Sequence, residues 1–251
     1  MIDVHAHLCF PDFDRDRDDI ASRCGREMKA VIVSSARYDE GLCALEVCRR
    51  FGNLFPTLGY HPTEGGESHR KVMELIRKNS DRIVGVGEVG LDYHWEKDEA
   101  KRELQKKIFS EFIELAKKLK KPIVIHSWDA EEDCFAMVAD SGLKALFHCF
   151  SGSKELAMKI VEVEDFYISF STQIFFSKHH KKLAKVVPLE RMTLETDAPF
   201  LSPHKPERNY PWNVAISAKK IAEIKGVGVE EVLKTTDENA IRVFGLDSIR
   251  K

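Results

Sequence analysis

The chain has almost no surplus of charge of either sign. Its 39 Lys and Arg residues nearly balance its 41 Asp and Glu residues, so the formal net charge is −2 at pH 7. This balance argues against proteins that hold polyanions through a global basic field, because no such field exists here. Any phosphate group would have to be bound by a local cluster of cations or by metal ions.

The sequence also lacks an apolar stretch of membrane-spanning length, and it opens without the basic and then apolar segments of a signal peptide. Its cysteines form no CxxC pair and follow no repeated spacing, which argues against a disulfide scaffold and against a zinc finger. We therefore expect a cytoplasmic protein without membrane association, in which all thiols are reduced. The cysteines are Cys9, Cys24, Cys43, Cys48, Cys134 and Cys149.

Short β-rich runs alternate with amphipathic segments along the chain. Several runs, such as "AVIVSS" and "PIVIHS", are almost continuously apolar, as is typical of strands covered on both faces. The clearest helix is predicted over Glu99–Lys120. Its apolar residues recur at helical spacing at Leu104, Ile108, Phe112, Leu115 and Leu119. The predicted strands are Ile2–His7, Ala30–Ser35, Leu54–Tyr60, Ile83–Gly87, Pro122–His126, Ala145–Phe150, Phe166–Phe170 and Arg191–Thr196.

Eight strands that alternate with helices predict an α/β fold, and the absence of a linker or a break in composition predicts one domain over residues 1–251. A chain of this length and 43% hydrophobic content suits a single (β/α)8 TIM barrel. An open doubly wound sheet is the alternative architecture. It is less favoured because no GxGxxG motif opens the chain.

Polar side chains recur where the predicted strands end. In "IDVHAHL", Asp3, His5 and His7 alternate with apolar residues, so an extended strand would place them on one face. Because catalysis in TIM barrels takes place at the carboxyl ends of the strands, we expect the polar residues of several strands to converge at one rim. The later strands end in His61, Glu88, His126, His148, Glu195 and Asp197.

This set of imidazoles and carboxylates favours a metal centre. Any one of the histidines, taken alone, is more often a structural residue than a ligand, and a single polar strand could be a solvated edge. Their joint placement at strand ends reverses that preference. Imidazoles with carboxylates suit Zn, Mn or Co, and the carboxylates also allow Mg. Six ligands exceed the needs of one tetrahedral ion, so we predict two divalent metal ions bridged by a carboxylate and a hydroxide.

The polar residues lie in a series of motifs that spans nearly the whole chain. In order these are "DVHAHL", "GYHP", "GEVGLD", "IHS", "HCFSGS", "ETDAPFLSP…RNYP" and "ENAIRVFGL". Together they resemble the TatD-type metal-dependent deoxyribonucleases of the amidohydrolase superfamily. The resemblance implies a (β/α)8 barrel that hydrolyses phosphodiester bonds through a hydroxide bridged by two metal ions. It also implies 3′→5′ exodeoxyribonuclease action on DNA, which would be single-stranded or have free 3′ ends.

The resemblance assigns metal ligands residue by residue. The first ion would be held by His5, His7 and Asp197, and the second by His126 and His148, with Glu88 as the bridge between them.

It also implies catalytic roles for Asp197, Glu88, His61 and Glu195. Asp197 would accept a proton from the bridging water, because its carboxylate would touch that water. His61 could donate to a phosphate oxygen, and Glu195 could position a water or orient a ligand. Asp3 fits a supporting role behind the ligands, with a purely structural hydrogen bond as the alternative.

Four residues are candidates for substrate binding. Ser151 and Ser153 precede a helix predicted from Lys154, where free N–H groups and the helix dipole would suit a phosphate. An ordinary N-cap is the alternative at this position. Arg208 and Asn209 are singled out by the resemblance. Arg37 and Lys205 could add contacts to a nucleic-acid backbone.

The sequence departs from the family pattern at two places. Relatives usually carry an arginine shortly after the "IH" of strand five, whereas this chain has Trp128, which could stack on a base or pack under a loop. "RNYPWN" replaces the commoner "RNEP". The segment from Tyr93 to Trp95 could line a groove, and Cys149 is expected to face away from the metals in a strand.

Two other classes of function compete with a nuclease. One is an amide or ester hydrolase of the same superfamily that acts on a small molecule. Many such enzymes bridge their metals with a carboxylated lysine where this chain has Glu88, which favours the nuclease branch. The other is a binding protein that has lost its metals, against which the complete set of six ligands argues.

Overall fold

The computed structural model describes residues 1–65 and 68–247 and shows the predicted (β/α)8 TIM barrel. Eight parallel strands follow one another in chain order around the sheet. The barrel closes where Ala6, at the end of the first strand, forms an isolated parallel bridge with Ala198 in the segment that follows the last strand. The N–H of His7 also donates to the carbonyl of Ala198 over 2.7 Å. The carboxyl ends of all eight strands therefore open on one rim.

The strands are β1 (Ile2–Ala6), β2 (Ala30–Ser35), β3 (Leu54–Leu58), β4 (Gly85–Asp92), β5 (Ile123–Trp128), β6 (Ala145–Phe147), β7 (Phe166–Phe170) and β8 (Met192–Leu194). The helices of the described residues are α1 (Arg17–Glu27), α2 (Tyr38–Arg50), α3 (His69–Lys78), α4 (Glu99–Leu119), α5 (Glu131–Val138), α6 (Lys154–Glu162), α7 (Lys178–Val186), α8 (Val214–Lys225) and α9 (Val229–Phe244). Short 3₁₀ turns cover Pro11–Phe13, Pro62–Glu64, Thr172–Phe175, Leu189–Arg191 and Pro211–Asn213.

β4 differs most from its predicted bounds. The sequence predicts Ile83–Gly87, whereas the strand runs over Gly85–Asp92. Glycine normally weakens a strand, and this strand contains three. Here the glycine at position 90 allows β5 to approach closely, because a Cβ on Gly90 would lie 2.0 Å from the carbonyl oxygen of His126. Glu88, which the prediction placed just after the end of this strand, therefore lies in the middle of β4.

β6 and β8 end earlier than predicted. Shortly after these two strands the backbone of Cys149 and of Asp197 adopts positive φ values of 44° and 57°, which an extended strand does not contain. The expectation that Cys149 lies in a strand is therefore wrong. Its sulfur lies 3.3 Å from Oγ of Ser171, just after β7.

α4 begins as predicted and ends one residue earlier, at Leu119. Asp98 caps its first turn by accepting a hydrogen bond from the N–H of Lys101 over 3.0 Å. Leu104 was expected on the apolar face but is 40% exposed. Gln105 is buried at this level instead, because its side chain accepts from the N–H of Asp92 over 2.9 Å.

Two apolar clusters hold the barrel together. The larger cluster packs the strands against the surrounding helices. The smaller one joins early residues of several strands to the last turn of α9, and so fills the barrel on the side away from the rim. Its members include Ile2, Val4, Val124, Leu146 and Phe244.

Cys9 and Cys43 form a disulfide, with Cα atoms 5.9 Å apart. The expectation that all thiols are reduced is therefore wrong for this pair. Cys9 follows β1, and Cys43 lies in α2, which follows the neighbouring strand β2. Because the fold brings together residues that are 34 positions apart, the spacing in the sequence does not reveal the pair. The free thiols are Cys24, Cys48, Cys134 and Cys149.

Over residues 1–65 and 68–247, no helix is both long enough and apolar enough to cross a bilayer.

Candidate metal centre

Glu88 lies at the centre of the histidines that end the strands. Its Oε2 lies 3.3 Å from Nε2 of His5 and 3.3 Å from Nε2 of His7. Its Oε1 lies 2.9 Å from Nδ1 of His126 and 2.9 Å from Nε2 of His148. One oxygen of the carboxylate therefore faces each pair of histidines.

Asp197 completes the group around the first pair. Its Oδ1 lies 3.4 Å from Nε2 of His7 and 3.9 Å from Nε2 of His5, and the two imidazole nitrogens are 3.1 Å apart. The backbone N–H of Asp197 donates to the carbonyl of His5 over 2.9 Å, which ties the segment after β8 to β1. These three side chains could hold one ion.

The separations between these groups fit shared metal ions. Two ligands on one tetrahedral ion, each about 2.0 Å from it, lie about 3.3 Å apart. The contacts of Glu88 with its four histidines span 2.9–3.3 Å. His5, Glu88 and His148 are also close enough together to hold an ion. The residues present thus provide donors of suitable type and spacing for divalent cations.

The outer nitrogens of these imidazoles contact other side chains. Nδ1 of His5 lies 3.2 Å from Oγ of Ser34. Nδ1 of His148 lies 3.6 Å from Oε1 of Glu195. Glu195 is fully buried, and its Oε2 accepts a hydrogen bond from Oγ of Ser169. Such partners orient an imidazole so that its inner nitrogen faces a metal. Of the two roles expected for Glu195, its position behind His148 supports the orienting one.

Asp92 is a site residue that the sequence analysis missed. Its Oδ2 lies 3.0 Å from Nε2 of His126, and its Oδ1 accepts a hydrogen bond from the N–H of Trp95 over 2.8 Å. It stands four positions after Glu88 in "GEVGLD", and the two-residue alternation of a strand puts both on one face of β4. The spacing of these two acidic residues could therefore have identified Asp92 from the sequence.

His61 lies beside this group. Its Nε2 is 3.6 Å from Oε1 of Glu88, and its ring centroid is 4.2 Å from that of His126. Burial, reinforced by the charge of His126, lowers the pKa of His61 to about 3, so its ring is neutral at pH 7. Nδ1 accepts from the N–H of Thr63 over 3.3 Å. The proton of the neutral ring is therefore assigned to Nε2, the nitrogen directed at the site.

The two central carboxyl groups are ionised at neutral pH. Burial alone would raise the pKa of Glu88, but the charge of His148 and hydrogen bonds from the histidines outweigh it and hold the pKa well below its usual value. The same opposition operates at Asp197, where burial is outweighed by the hydrogen bond to His7 and the pKa is lowered. Both groups are therefore anionic acceptors.

Asp3 does not face the centre. Its carboxylate accepts from the N–H of Thr196 over 3.0 Å and from the N–H of His5 over 3.1 Å. Pairing of β1 with β2 shifts register between Asp3 and Ala6, so the simple alternation expected along β1 does not hold. Burial raises the pKa of Asp3 well above its usual value. These contacts connect β1 to the segment after β8.

The two serines before α6 are engaged by the protein. Oγ of Ser153 accepts from the N–H of Leu156 over 3.0 Å, which is an N-cap, and Oγ of Ser151 donates to Glu131 over 3.2 Å. The adjoining cleft, of about 250 Å³, is lined by acidic side chains, which would repel a phosphate. These acids are Asp129, Glu131, Glu132 and Asp133.

The other candidates for substrate binding are also engaged. Arg208 pairs with Asp16, and its guanidinium lies over the ring of Phe13. Asn209 is fully buried, and its amide donates to the carbonyl of Thr196 over 2.9 Å. In this structure these two residues hold the segment after β8 in place. Their contact with a substrate stays a prediction.

Two of the outlying cations have partners as well. Arg37 pairs with Asp39 and Glu40 at 3.0 and 3.3 Å. Nζ of Lys205 lies 5.4 Å from the ring centroid of Phe176.

The two aromatic residues of "RNYPWN" contact each other. Tyr210 stacks on Trp212, with the ring centroids 4.8 Å apart.

The chain matches a family model described as "TatD related DNase" over residues 2–245. It is 39% identical over 246 residues to an uncharacterized metal-dependent hydrolase of Methanocaldococcus jannaschii, covering 97% of this chain and 96% of that protein. It is 35% identical over 259 residues to the human deoxyribonuclease TATDN3, covering 97% of this chain and 94% of that protein.

Among solved structures, the chain is similar to YjjV, a TatD homologue from Escherichia coli K12. The TM-score is 0.88 at 24% identity, and the match covers 98% of each chain. A TatD-family hydrolase from Entamoeba histolytica matches with a TM-score of 0.84 at 23% identity over 97% of each chain. At these identities, the likeness shows the shared barrel fold.

Proposed function

Since this chain belongs to the TatD-related DNase family and is a metal-dependent hydrolase, we propose that it hydrolyses phosphodiester bonds in DNA as a 3′→5′ exodeoxyribonuclease. The observation that carries the proposal is the position of Glu88, whose two carboxylate oxygens face two separate pairs of histidines. This is the arrangement that a carboxylate bridging two cations requires.

Two divalent cations (Mg, Mn, Zn or Co) would be held by the side chains around Glu88. When bound, they would neutralise the charge of a phosphodiester and lower the pKa of a water to near neutrality. His5, His7 and Asp197 would hold one ion, and His126 and His148 the other, with Glu88 between them.

Three side chains of the site, one of them a ligand, would have further roles in hydrolysis. Asp197, ionised and at the edge of the histidine group, would accept the proton of the attacking water. The Nε2–H of neutral His61 would donate to a phosphate oxygen as negative charge develops there. Glu195 would hold His148 in the orientation that ligation needs.

DNA is the substrate class that the human relative's name supports, since that protein is a deoxyribonuclease. We propose that the DNA is single-stranded or has free 3′ ends, because the barrel mouth must receive a phosphate at the bottom of a cluster of buried imidazoles. A cytoplasmic location and a single domain over residues 1–251 stay predictions.

The experiment compares DNA with the small molecules that related barrels hydrolyse. Metal-loaded enzyme is incubated with single-stranded and double-stranded oligonucleotides labelled at either end, beside a panel of amides, esters and lactones. We expect mononucleotides to be released stepwise from the 3′ end, and Glu88→Ala to release none. Turnover of an amide or lactone without cleavage of any oligonucleotide would overturn the proposal.

A further inference from the structure

We propose that two exposed aromatic surfaces on opposite sides of the barrel mouth stack on the unpaired bases that flank the scissile phosphate. The inference rests on the proposed nuclease function and specifies how a single strand is held. The tryptophan platform consists of His94, Trp95 and Trp128, and the phenylalanine platform consists of Phe10 and Phe200.

The tryptophan platform is exposed although its two indole rings are large and apolar. Trp95 is 68% exposed and Trp128 is 39% exposed. The ring of His94 stacks on Trp128 at 4.1 Å with an angle of 9° between the planes, and Trp95 stands at 80° to Trp128 at 6.0 Å. Contacts within the platform therefore hold the rings in defined orientations and leave their outer faces free for another flat ring.

This platform is joined directly to the candidate metal centre. Trp128 lies two residues after His126 on β5, so both point to the same face, roughly 7 Å apart along the strand. Asp92 contacts His126 through one oxygen and holds the N–H of Trp95 with the other. A phosphate at His126 thus places the attached nucleoside next to the indole rings.

The phenylalanine platform adjoins the other pair of histidines. Phe200 is 42% exposed, and its ring centroid lies 6.0 Å from that of His7. Phe10 packs against Phe200 edge to face at 5.0 Å. This pair of rings follows Asp197 and His7 in the chain, on the segments after β8 and β1.

The order of the strands places the two platforms across the mouth from each other. The tryptophan platform stands at β4 and β5, and the phenylalanine platform at β8 and β1. In an eight-stranded barrel that runs in chain order, β5 is four strands from β1, which is half of the circumference. A phosphate at Glu88 therefore has one aromatic surface on each side.

The charges around the tryptophan platform favour a base as its occupant over a phosphate. Asp129 follows Trp128 directly and lies 3.2 Å from Nδ1 of His94, and Glu131 lines the adjoining cleft. These carboxylates would repel the sugar-phosphate backbone, whereas the face of a neutral base can stack on the rings. Stacking on aromatic side chains is tolerant of base identity and requires bases that are unpaired.

The test uses Trp128→Ala and Phe200→Ala with single-stranded oligonucleotides, some of which carry an abasic residue on one side or the other of the 3′-terminal bond. We expect each alanine variant to raise KM for the normal oligonucleotide by about 5- to 150-fold, with little change in kcat. On the oligonucleotide that lacks the base facing the altered platform, wild type and variant should have equal KM. Trp128→Phe should restore most of the loss.

A matched control is Leu104→Ala, which removes a comparably exposed apolar side chain from α4 outside both platforms. Its KM should equal that of wild type. Suppose that the wild type cleaves DNA and that Trp128→Ala and Phe200→Ala have the same KM as wild type on both normal and abasic strands. Base stacking on the platforms is then refuted, and the proposed nuclease function is unaffected.

A binding measurement separates the two proposals. Titration of the holoenzyme with a short oligothymidylate whose phosphodiester bonds are replaced by a non-hydrolysable analogue, so that it is not digested, should quench tryptophan fluorescence. Phe200→Ala should bind this oligothymidylate more weakly than wild type does. If the wild type cleaves no DNA, the proposed function fails, and this titration still tests whether the two platforms bind unpaired bases. Equal affinity of wild type and both alanine variants for the oligothymidylate would overturn them.

Discussion

Oδ2 of Asp92 lies 3.0 Å from Nε2 of His126, whose other nitrogen faces Glu88 at 2.9 Å. A carboxylate in this position fixes the tautomer of the imidazole and its orientation toward a metal. The pair therefore connects the end of β4 to the candidate ligand on β5.

Asp92→Asn should weaken metal binding without unfolding the protein. The amide oxygen can still accept from the N–H of Trp95, but the charge beside His126 is lost. Removal of such a partner typically lowers metal affinity by about 10- to 100-fold. Titration calorimetry with Mn²⁺ measures this loss, and Asp140→Asn, at an exposed position, serves as the control. Unchanged affinity in Asp92→Asn would show that Asp92 does not support the ligand.

Asp197→Asn should lower kcat by about 10²- to 10⁴-fold, because an amide cannot accept the proton of the attacking water. The side chain keeps its size, so the far-UV circular dichroism should remain that of the wild type. Initial rates on a labelled single-stranded oligonucleotide at saturating metal measure the effect. Wild-type kcat in this variant would exclude Asp197 as the general base.

Removal of divalent cations should abolish hydrolysis, since the buried histidines and carboxylates are arranged as ligands. Dialysis against EDTA should stop cleavage, and Mg²⁺, Mn²⁺ or Co²⁺ should restore it. Elemental analysis of the reloaded protein should find two ions per chain, and fewer in Glu88→Ala. Full cleavage by protein shown to be metal-free would contradict the mechanism.

His180 should make the protein less stable in mildly acidic solution. It is buried in α7, and burial lowers its pKa from 6.5 to about 4. The unfolded chain therefore binds more protons than the folded one between these values, so the free energy of unfolding falls as the pH falls from 6.5 to 4. From this group alone we expect the free energy of unfolding to fall by about 2 kcal/mol between pH 7.5 and pH 5.

Urea unfolding of wild type and His180→Gln at both pH values measures this contribution. The difference in unfolding free energy between the two proteins should shrink or reverse at pH 5, because glutamine does not take up a proton. His204→Gln, at an exposed position outside α7, should follow the pH dependence of the wild type. If the difference in unfolding free energy between wild type and His180→Gln does not change with pH, the lowered pKa of His180 is contradicted.

Local pattern was sufficient for the architecture and for most members of the candidate centre, although it missed Asp92. Continuous apolar runs predicted buried parallel strands, and parallel strands must end at one rim, so His5 and His126 could be expected to meet although they are distant in sequence. The limits of β4 could not be predicted in this way. Its glycines signal a strand break locally, and only the approach of β5 at Gly90 shows why they are required.

Other features depended on contacts that no local pattern contains. Cys9 and Cys43 become neighbours only when β1 and β2 pair and α2 packs beside them. Arg208 has the charge of a phosphate ligand in the sequence, but the fold places it against Asp16.

By itself, the sequence determined the alternation of strands and helices, the family, and the set of imidazoles and carboxylates at the strand ends. The alternation follows from local periodicity, the set of side chains from residue type, and the family from the order of the motifs along the chain. The tertiary structure alone decided that each oxygen of Glu88 faces its own pair of histidines and that the exposed indoles stand opposite Phe200 across the mouth. Such relationships depend on the curvature and closure of the whole sheet, which joins residues from opposite ends of the chain.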